Sequence, residues 1–231
     1  MQPHPPINIE AMLSHIPLFN GLAPEEIARI AKATREIHAD KGGILFHKGD
    51  PCNGFHLLVY GQVKLAFTSA QGTEKVVQIL SQGQSFGEAL MFMDKPYIVH
   101  AQALTNAFLL HISKNAIFEE LQRDHNLCHK MLANMSMRLH QLMGDVESYS
   151  LHSGKQRIIG YLLRELPEKE TDGRNLTITL PTNKGTIASR LNLTQEHFSR
   201  ILHELIERGL IAVEGRRIHI PSVARLREHE G

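Results

Sequence analysis

The stretch TNKGTIASRLNLTQEHFSRILHELIERG, residues 182–209, constrains this chain more than any other. Ile187, Ala188 and Leu191 form one short apolar set. Phe198, Ile201, Leu202, Leu205 and Ile206 form a second, on one face of a 3.6-residue period. Leu191-Asn192-Leu193-Thr194 between them reads as a tight turn. Thr194 suits the N-cap of the second helix and Gly209 its C′ position. Two helices joined in this way form a helix-turn-helix. The face left over on the second helix is Gln195, Glu196, Ser199, Arg200 and His203. The N-terminal end of such a helix reaches base edges in a DNA major groove. Arg can bond guanine O6 and N7 together, Glu accepts from the cytosine amino group, and Ser bonds either way. A solvated amphipathic helix also carries polar residues outward, so this face needs support from its surroundings.

The following residues supply it. Leu210–Val213, Glu214-Gly215-Arg216 and Arg217–Ile220 read as a β-hairpin with Arg216 and Arg217 at its tip, suited to a phosphate backbone. A helix-turn-helix followed by a basic hairpin is a winged helix. The stretch resembles the C-terminal domain of the CRP/FNR transcription regulators, and Glu196, Ser199 and Arg200 resemble the FNR-type E-x-x-S-R signature. The DNA contacts that this resemblance implies are Thr182, Thr194, Gln195, Glu196, Ser199, Arg200, Arg216 and Arg217, reading a TTGAT-like half-site. Gln195 stands where many members of the family carry Arg.

Charge is distributed accordingly. Residues 154–231 carry 13 Lys and Arg against 10 Asp and Glu, and residues 1–153 carry 12 against 14. The excess of cations lies on the side that would meet phosphate. The start, MQPHPPINIE, has neither the basic region nor the apolar core of a signal peptide, which points to the cytoplasm, and no apolar run is long enough to span a membrane.

Residues 1–8 are proline-rich. Glu10–His15 and Pro24–Arg35 read as short helices. From Gly42 to about His111 short β-runs alternate with glycine turns: Ile44–Phe46, Phe55–Tyr60, Val63–Phe67, Val76–Leu80, Ile98–Leu104 and Phe108–Ile112. Many short strands between glycine turns indicate a β-barrel or jelly roll. The glycine spacing, ending in Phe86-Gly87-Glu88, is similar to the cyclic-nucleotide-binding β-roll. Asn126–Tyr149 then reads as a long helix. Cys128, Leu132, Met135, Leu139, Leu142, Val146 and Tyr149 recur along it every three or four residues, a heptad seam that drives helix pairing. Met131 and Met143 lie off the seam and are expected to face the β-roll. Leu151–Gly154 is a hinge, Gln156–Leu166 a helix, Glu168–Asn175 a charged loop and Leu176–Leu180 a strand. The fold expected is α+β. A sensing β-roll occupies residues 1–125, a dimerisation helix 126–150, and a winged helix-turn-helix 151–231.

The effector region implied by the resemblance comprises Gly87, Glu88, Tyr97, Ile98, Leu142 and Met143. In cyclic-AMP-binding members a Glu after Phe-Gly bonds the ribose, which Glu88 matches. An Arg-Ser pair bonds the phosphate, and here that position falls on Tyr97-Ile98 or Ile98-Val99. Burying a phosphate without a charged partner costs several kcal/mol. Leu142 and Met143 stand where adenine would want polar partners. Cyclic AMP is therefore not expected to bind. Two cysteines, Cys52 and Cys128, are too few for the four ligands of an iron–sulfur cluster. Ser14–Phe19, Glu88–Asp94 and Arg138–Gln141 resemble the dissimilatory-nitrate-respiration branch of the family, which implies haem and nitric oxide. His or Met could ligate haem iron; His15 and His140 lie in the resembling segments, and His100 and His111 in strands. His125, Cys128 and His129 offer an alternative metal face at helical spacing.

No nucleophile with its base and orienting group is apparent, so no enzyme is expected. What the sequence implies is a homodimeric transcription regulator, an activator working with RNA polymerase. Its rivals are a haem sensor or redox protein whose winged helix docks a protein, and a cyclic-nucleotide-responsive regulator.

Overall fold

The computed structural model describes residues 8–166 and 174–229. The proline-rich start and most of the charged loop expected over Glu168–Asn175 lie outside them. The chain divides into two compact units: residues up to Thr68 with Val77–His140, and Ser69–Val76 with Gln141 onward.

The first unit opens with α1 (Ile9–Ser14), a 3-10 turn (Pro17–Phe19) and α2 (Pro24–Lys32). Pro24 stands in the first turn of α2, where a missing N–H costs nothing. The strands are β1 (Thr34–Ala39), β2 (Ile44–Phe46), β3 (Gly54–Tyr60), β4 (Val63–Thr68), β5 (Glu74–Leu80) and β6 (Ser85–Phe86). After α3 (Glu88–Met93) come β7 (His100–Ala103) and β8 (Ala107–Ser113). They form two four-stranded sheets, ordered β1-β8-β3-β6 and β2-β7-β4-β5. Phe55, Leu58, Leu109, Leu110 and Ile112 from one sheet and Phe46, Val63, Leu80 and Ala101 from the other share one buried core. This is the β-roll that the glycine spacing predicted.

Two elements differ from expectation. The helical pattern read through Arg35 stops at Lys32, and Thr34–Ala39 is a strand paired over six residues with β8. Its half-exposed side chains hide the alternation; the pairing with β8 overrides local propensity. The second is α3, bracketed by left-handed residues, Gly87 at φ 101° and Asp94 at φ 54°. A glycine is required before it, since φ beyond 90° is strained for any side chain.

α4 (Lys114–Arg123) packs beside α2. Arg29 donates to both carboxylate oxygens of Glu120, at 2.6 and 2.8 Å, and Arg123 adds a third bond at 2.8 Å. Glu120 is buried, and the Arg29 bond holds its carboxyl below the usual range. α5 runs from His125 to Leu151, one residue before and two beyond the helix read over Asn126–Tyr149, and takes in the first residue of the expected hinge. Leu127 and Met131 join the β-roll core. Met143, expected to do the same, is 65% exposed. Along the seam Leu132, Leu139, Leu142 and Val146 are all exposed, and Met137 and Met143 are exposed beside them.

The second unit contains α6 (Gly154–Arg164), β9 (Arg174–Thr179), α7 (Lys184–Arg190), α8 (Gln195–Glu207), β10 (Ala212–Glu214), β11 (Arg217–Ser222) and α9 (Val223–Arg227). Ser153 and Gln156 cap α6 reciprocally, Ser153 Oγ accepting from Gln156 N at 3.2 Å and Gln156 Oε1 from Ser153 N at 2.8 Å. The three strands form one antiparallel sheet, β10-β11-β9, with Ile218 opposite Ile178 and Val213. Ile158, Ile159, Leu162, Ile187, Phe198, Leu205, Ile218 and Ile220 are buried. Among the described residues no helix is long and apolar enough to cross a membrane.

Candidate DNA-binding face and effector region

The helix-turn-helix forms as its caps dictate. Asn183 Oδ1 accepts from Thr186 N at 2.8 Å to open α7, and Thr194 Oγ1 accepts from His197 N at 3.2 Å to open α8. Asn192 takes the left-handed conformation, φ 57°, that turns the chain between them. Gly209 ends α8 at φ 62°, the C′ conformation that favours glycine. Phe198, Ile201, Leu202 and Leu205 are buried, so Gln195, Glu196, Ser199, Arg200 and His203 are turned outward. Gln195 lies over α7: a Cβ added at Gly185 would come within 2.9 Å of its Oε1. Arg216 and Arg217 are exposed at the hairpin tip. Among the described residues Arg200, Arg216 and Arg217 make no ion pair, which leaves three cations for an external anion.

Thr182 departs from the expected set. It is only 6% exposed, next in the chain to the Asn183 cap. The turn is held by Arg157, which the sequence pattern did not single out, and by Tyr149, which it placed in the seam of α5. Arg157 Nη1 on α6 donates to Leu191 O at 2.9 Å and Asn192 O at 3.3 Å. Tyr149 on α5 donates to Arg190 O at 2.6 Å, and Arg190 Nη2 pairs with Asp145 at 2.6 Å.

Of the six expected effector residues, Gly87, Glu88, Tyr97 and Ile98 belong to the first unit and Leu142 and Met143 to the second. Glu88 is buried at the head of α3; its Oε2 lies 3.4 Å from Arg138 Nη1 on α5, while Oε1 has no partner among the described residues. Gly87 presents its carbonyl to the Cys52 thiol at 3.5 Å. Tyr97 is buried, its ring stacked on Phe46 with centroids 3.6 Å apart. Aromatic packing therefore places it in the core, and burial pushes its phenol above the ordinary range. Ile98, next in the chain, is 51% exposed. Leu142 and Met143 are exposed on α5 in the second unit. Arg138, in the resembling segment Arg138–Gln141, is the partner of Glu88, a pairing across 50 residues that no local pattern marks.

Two imidazoles belong to the same aromatic set. His56 on β3 stacks on Phe86 with centroids 5.0 Å apart and meets His111 of β8 edge-on at 4.9 Å. Burial lowers His56 to about 3, with His111 and Arg35 adding to the effect, and burial lowers His111 to about 4, with Arg35 adding. Both are neutral core residues, and His111 stands against Gly54, where a Cβ would meet its Cε1 at 2.8 Å. Among the described residues no group of three His, Cys, Asp or Glu is placed to hold a metal, so His125, Cys128 and His129 do not assemble into one. His15 ends α1, and His140 is exposed on α5.

Comparison with known proteins places these parts. Residues 36–124 match the cyclic nucleotide-binding domain, and residues 156–229 match the Crp-like helix-turn-helix domain. The chain is similar to the crystal structure of DNR from Pseudomonas aeruginosa, at 33% identity and a TM-score of 0.51, covering 94% of this chain and 96% of that one. It is 28% identical to the global nitrogen regulator of Synechococcus elongatus over 78% of this chain and 83% of that protein. To the cyclic AMP receptor protein of Thermus thermophilus it is 24% identical, over 92% and 95% respectively. A sensing β-roll joined by a long helix to a winged helix-turn-helix is the arrangement of transcription regulators of one kind, and this chain belongs to the CRP/FNR family.

Proposed function

We propose that the protein is a homodimeric, haem-dependent activator that binds a palindromic TTGAT-like site and works with RNA polymerase in the cytoplasm. The observation that carries the DNA reading is the outward face of α8. Glu196, Ser199 and Arg200 stand free at the helix start above a fully buried Phe198, with Arg216 and Arg217 at the neighbouring hairpin tip. A twofold dimer presents two such helices about 34 Å apart, one turn of the duplex. The exposed apolar stripe of α5 supports pairing, since a solvated helix gains nothing from Leu132, Leu139, Leu142 and Val146 outside.

The haem reading draws support from the likeness to DNR and from the geometry around Glu88. Arg138 and Glu88 form a neutral pair, which leaves no net cation for a cyclic phosphate. Bound haem supplies an iron able to take up nitric oxide. The protein's part is to enclose the group, hold a neutral imidazole toward it and pass the change to α5. Isothermal calorimetry with cyclic AMP separates the cyclic-nucleotide reading; micromolar binding there would restore Glu88 as a ribose contact.

A gel shift with a duplex carrying TTGAT and ATCAA as an inverted repeat tests the DNA reading against one in which the winged helix docks a protein. Arg200→Ala is expected to weaken that complex by about 1–3 kcal/mol and to relax preference at one guanine. Arg216→Ala is expected to weaken all sequences alike. Unchanged affinity and preference in Arg200→Ala would remove α8 from the role of reader.

A further inference from the structure

We infer that Gln195 reads one adenine of the half-site and that Gly185, on the neighbouring helix α7, is the residue that positions it; the inference rests on the DNA reading above. Gln195 is the first residue of α8 and is exposed. Its carboxamide lies over the first turn of α7. A Cβ built on Gly185 would stand 2.9 Å from Gln195 Oε1 and 3.6 Å from its Cδ. The amide thus occupies the place that a side chain at position 185 would take.

The backbone does not call for glycine there. Gly185 is the second residue of α7, and its φ lies outside the left-handed region. Any residue adopts such a backbone, and glycine is the poorest helix former except proline. In a helix of only seven residues, what glycine contributes is room. Asn183 Oδ1 lies 3.3 Å from the same point, but it is committed to the cap. It accepts from Thr186 N at 2.8 Å and from Thr186 Oγ1 at 3.1 Å. The Gln195 amide is the end of an exposed, flexible side chain. A methyl group at position 185 would therefore leave the cap in place and push the amide off its seat. The chemistry names the base. A carboxamide sets an acceptor beside a donor. Of the four bases only adenine presents the matching pair on its major-groove edge, N6–H to give and N7 to accept. Glu196 and Arg200 suit the single G·C pair of a TTGAT-like half-site, as cytosine and guanine readers. Its adenines are left for Gln195.

Fluorescence anisotropy with the TTGAT and ATCAA inverted repeat tests the assignment. Each adenine of the half-site is replaced in turn by 7-deazaadenine, which lacks only the N7 acceptor. The wild type is expected to bind about fivefold more weakly or worse at one adenine. Gln195→Ala should be indifferent to the replacement at that adenine. Gly185→Ala should lose most of the same sensitivity and no other, while its thermal midpoint stays at or above that of the wild type. In the Gln195→Ala background Gly185→Ala should have no further effect. Wild-type sensitivity retained in Gln195→Ala would overturn the base contact. Unchanged sensitivity in Gly185→Ala would overturn the positioning role. So would an equal weakening at every pair that persists in the double variant, which would make Gly185 a residue packed against the DNA backbone. Failure of the wild type to bind the unmodified duplex would overturn the DNA reading itself.

Discussion

Leu139→Glu is expected to turn the proposed dimer into a monomer and to abolish operator binding at concentrations where the wild type is saturated. Leu139 is 62% exposed in the protomer, so the substitution does not disturb the protomer's own core. In a paired seam two carboxylates would meet across the twofold axis in an apolar strip. Uncompensated charge in such a place costs about 3–5 kcal/mol, or about two to four powers of ten in association. The DNA complex should fall further, since each half-site alone offers one recognition helix. Sedimentation velocity reads the first effect and a gel shift the second, with a thermal melt to show that the protomer still folds. A dimer of undiminished strength would place association on another surface and leave the stripe on α5 unexplained.

The β-roll is expected to lose stability on mild acidification, well above the pH at which carboxylates titrate. His56 and His111 have folded values of about 3 and about 4, both below the ordinary 6.5. As pH falls through 6.5 the unfolded chain takes up protons that the folded chain refuses, so unfolding is favoured. Their contribution is complete above pH 6.5 and declines until the folded values are reached. Each histidine costs about 1.4 kcal/mol per pH unit within that window, so the pair removes about 4 kcal/mol by pH 5. Glu120, held low by Arg29, acts only further into acid. Urea midpoints measured from pH 7.5 to 5 should fall steadily. His56→Phe, which preserves an aromatic ring against Phe46 and Phe86, should remove about half of the slope. An unchanged slope in that variant would mean that His56 is not buried as a neutral ring.

The two sites differ in how far sequence reveals them. The DNA face is local: caps, turn and apolar period all lie within residues 182–209, so Thr194, Asn192 and Phe198 announce it together. Thr182 misleads because burial depends on what packs over it, which no local pattern records. The effector region is assembled from distant segments. Tyr97 occupies a position where the resemblance implies a ligand contact, yet a ring stacked on Phe46 belongs to the core. His56 sits within Gly54–Leu58, a stretch buried on both faces, where one imidazole looks like the polar member of an alternating strand. Met131 and Met143 are a similar pair: the helical period places both off the seam, but only Met131 is buried. β1 is recognisable only through its partner β8.

The mount of the helix-turn-helix grips main chain. Arg157 and Tyr149 hold the carbonyls of Arg190, Leu191 and Asn192, atoms that every amino acid possesses. The orientation of α8 is thereby uncoupled from the identity of its outward residues. Gln195, Glu196, Ser199 and Arg200 form an interchangeable cassette on a fixed bracket. A new target sequence could be acquired by exchanging them, with no adjustment of the parts that sense or transmit.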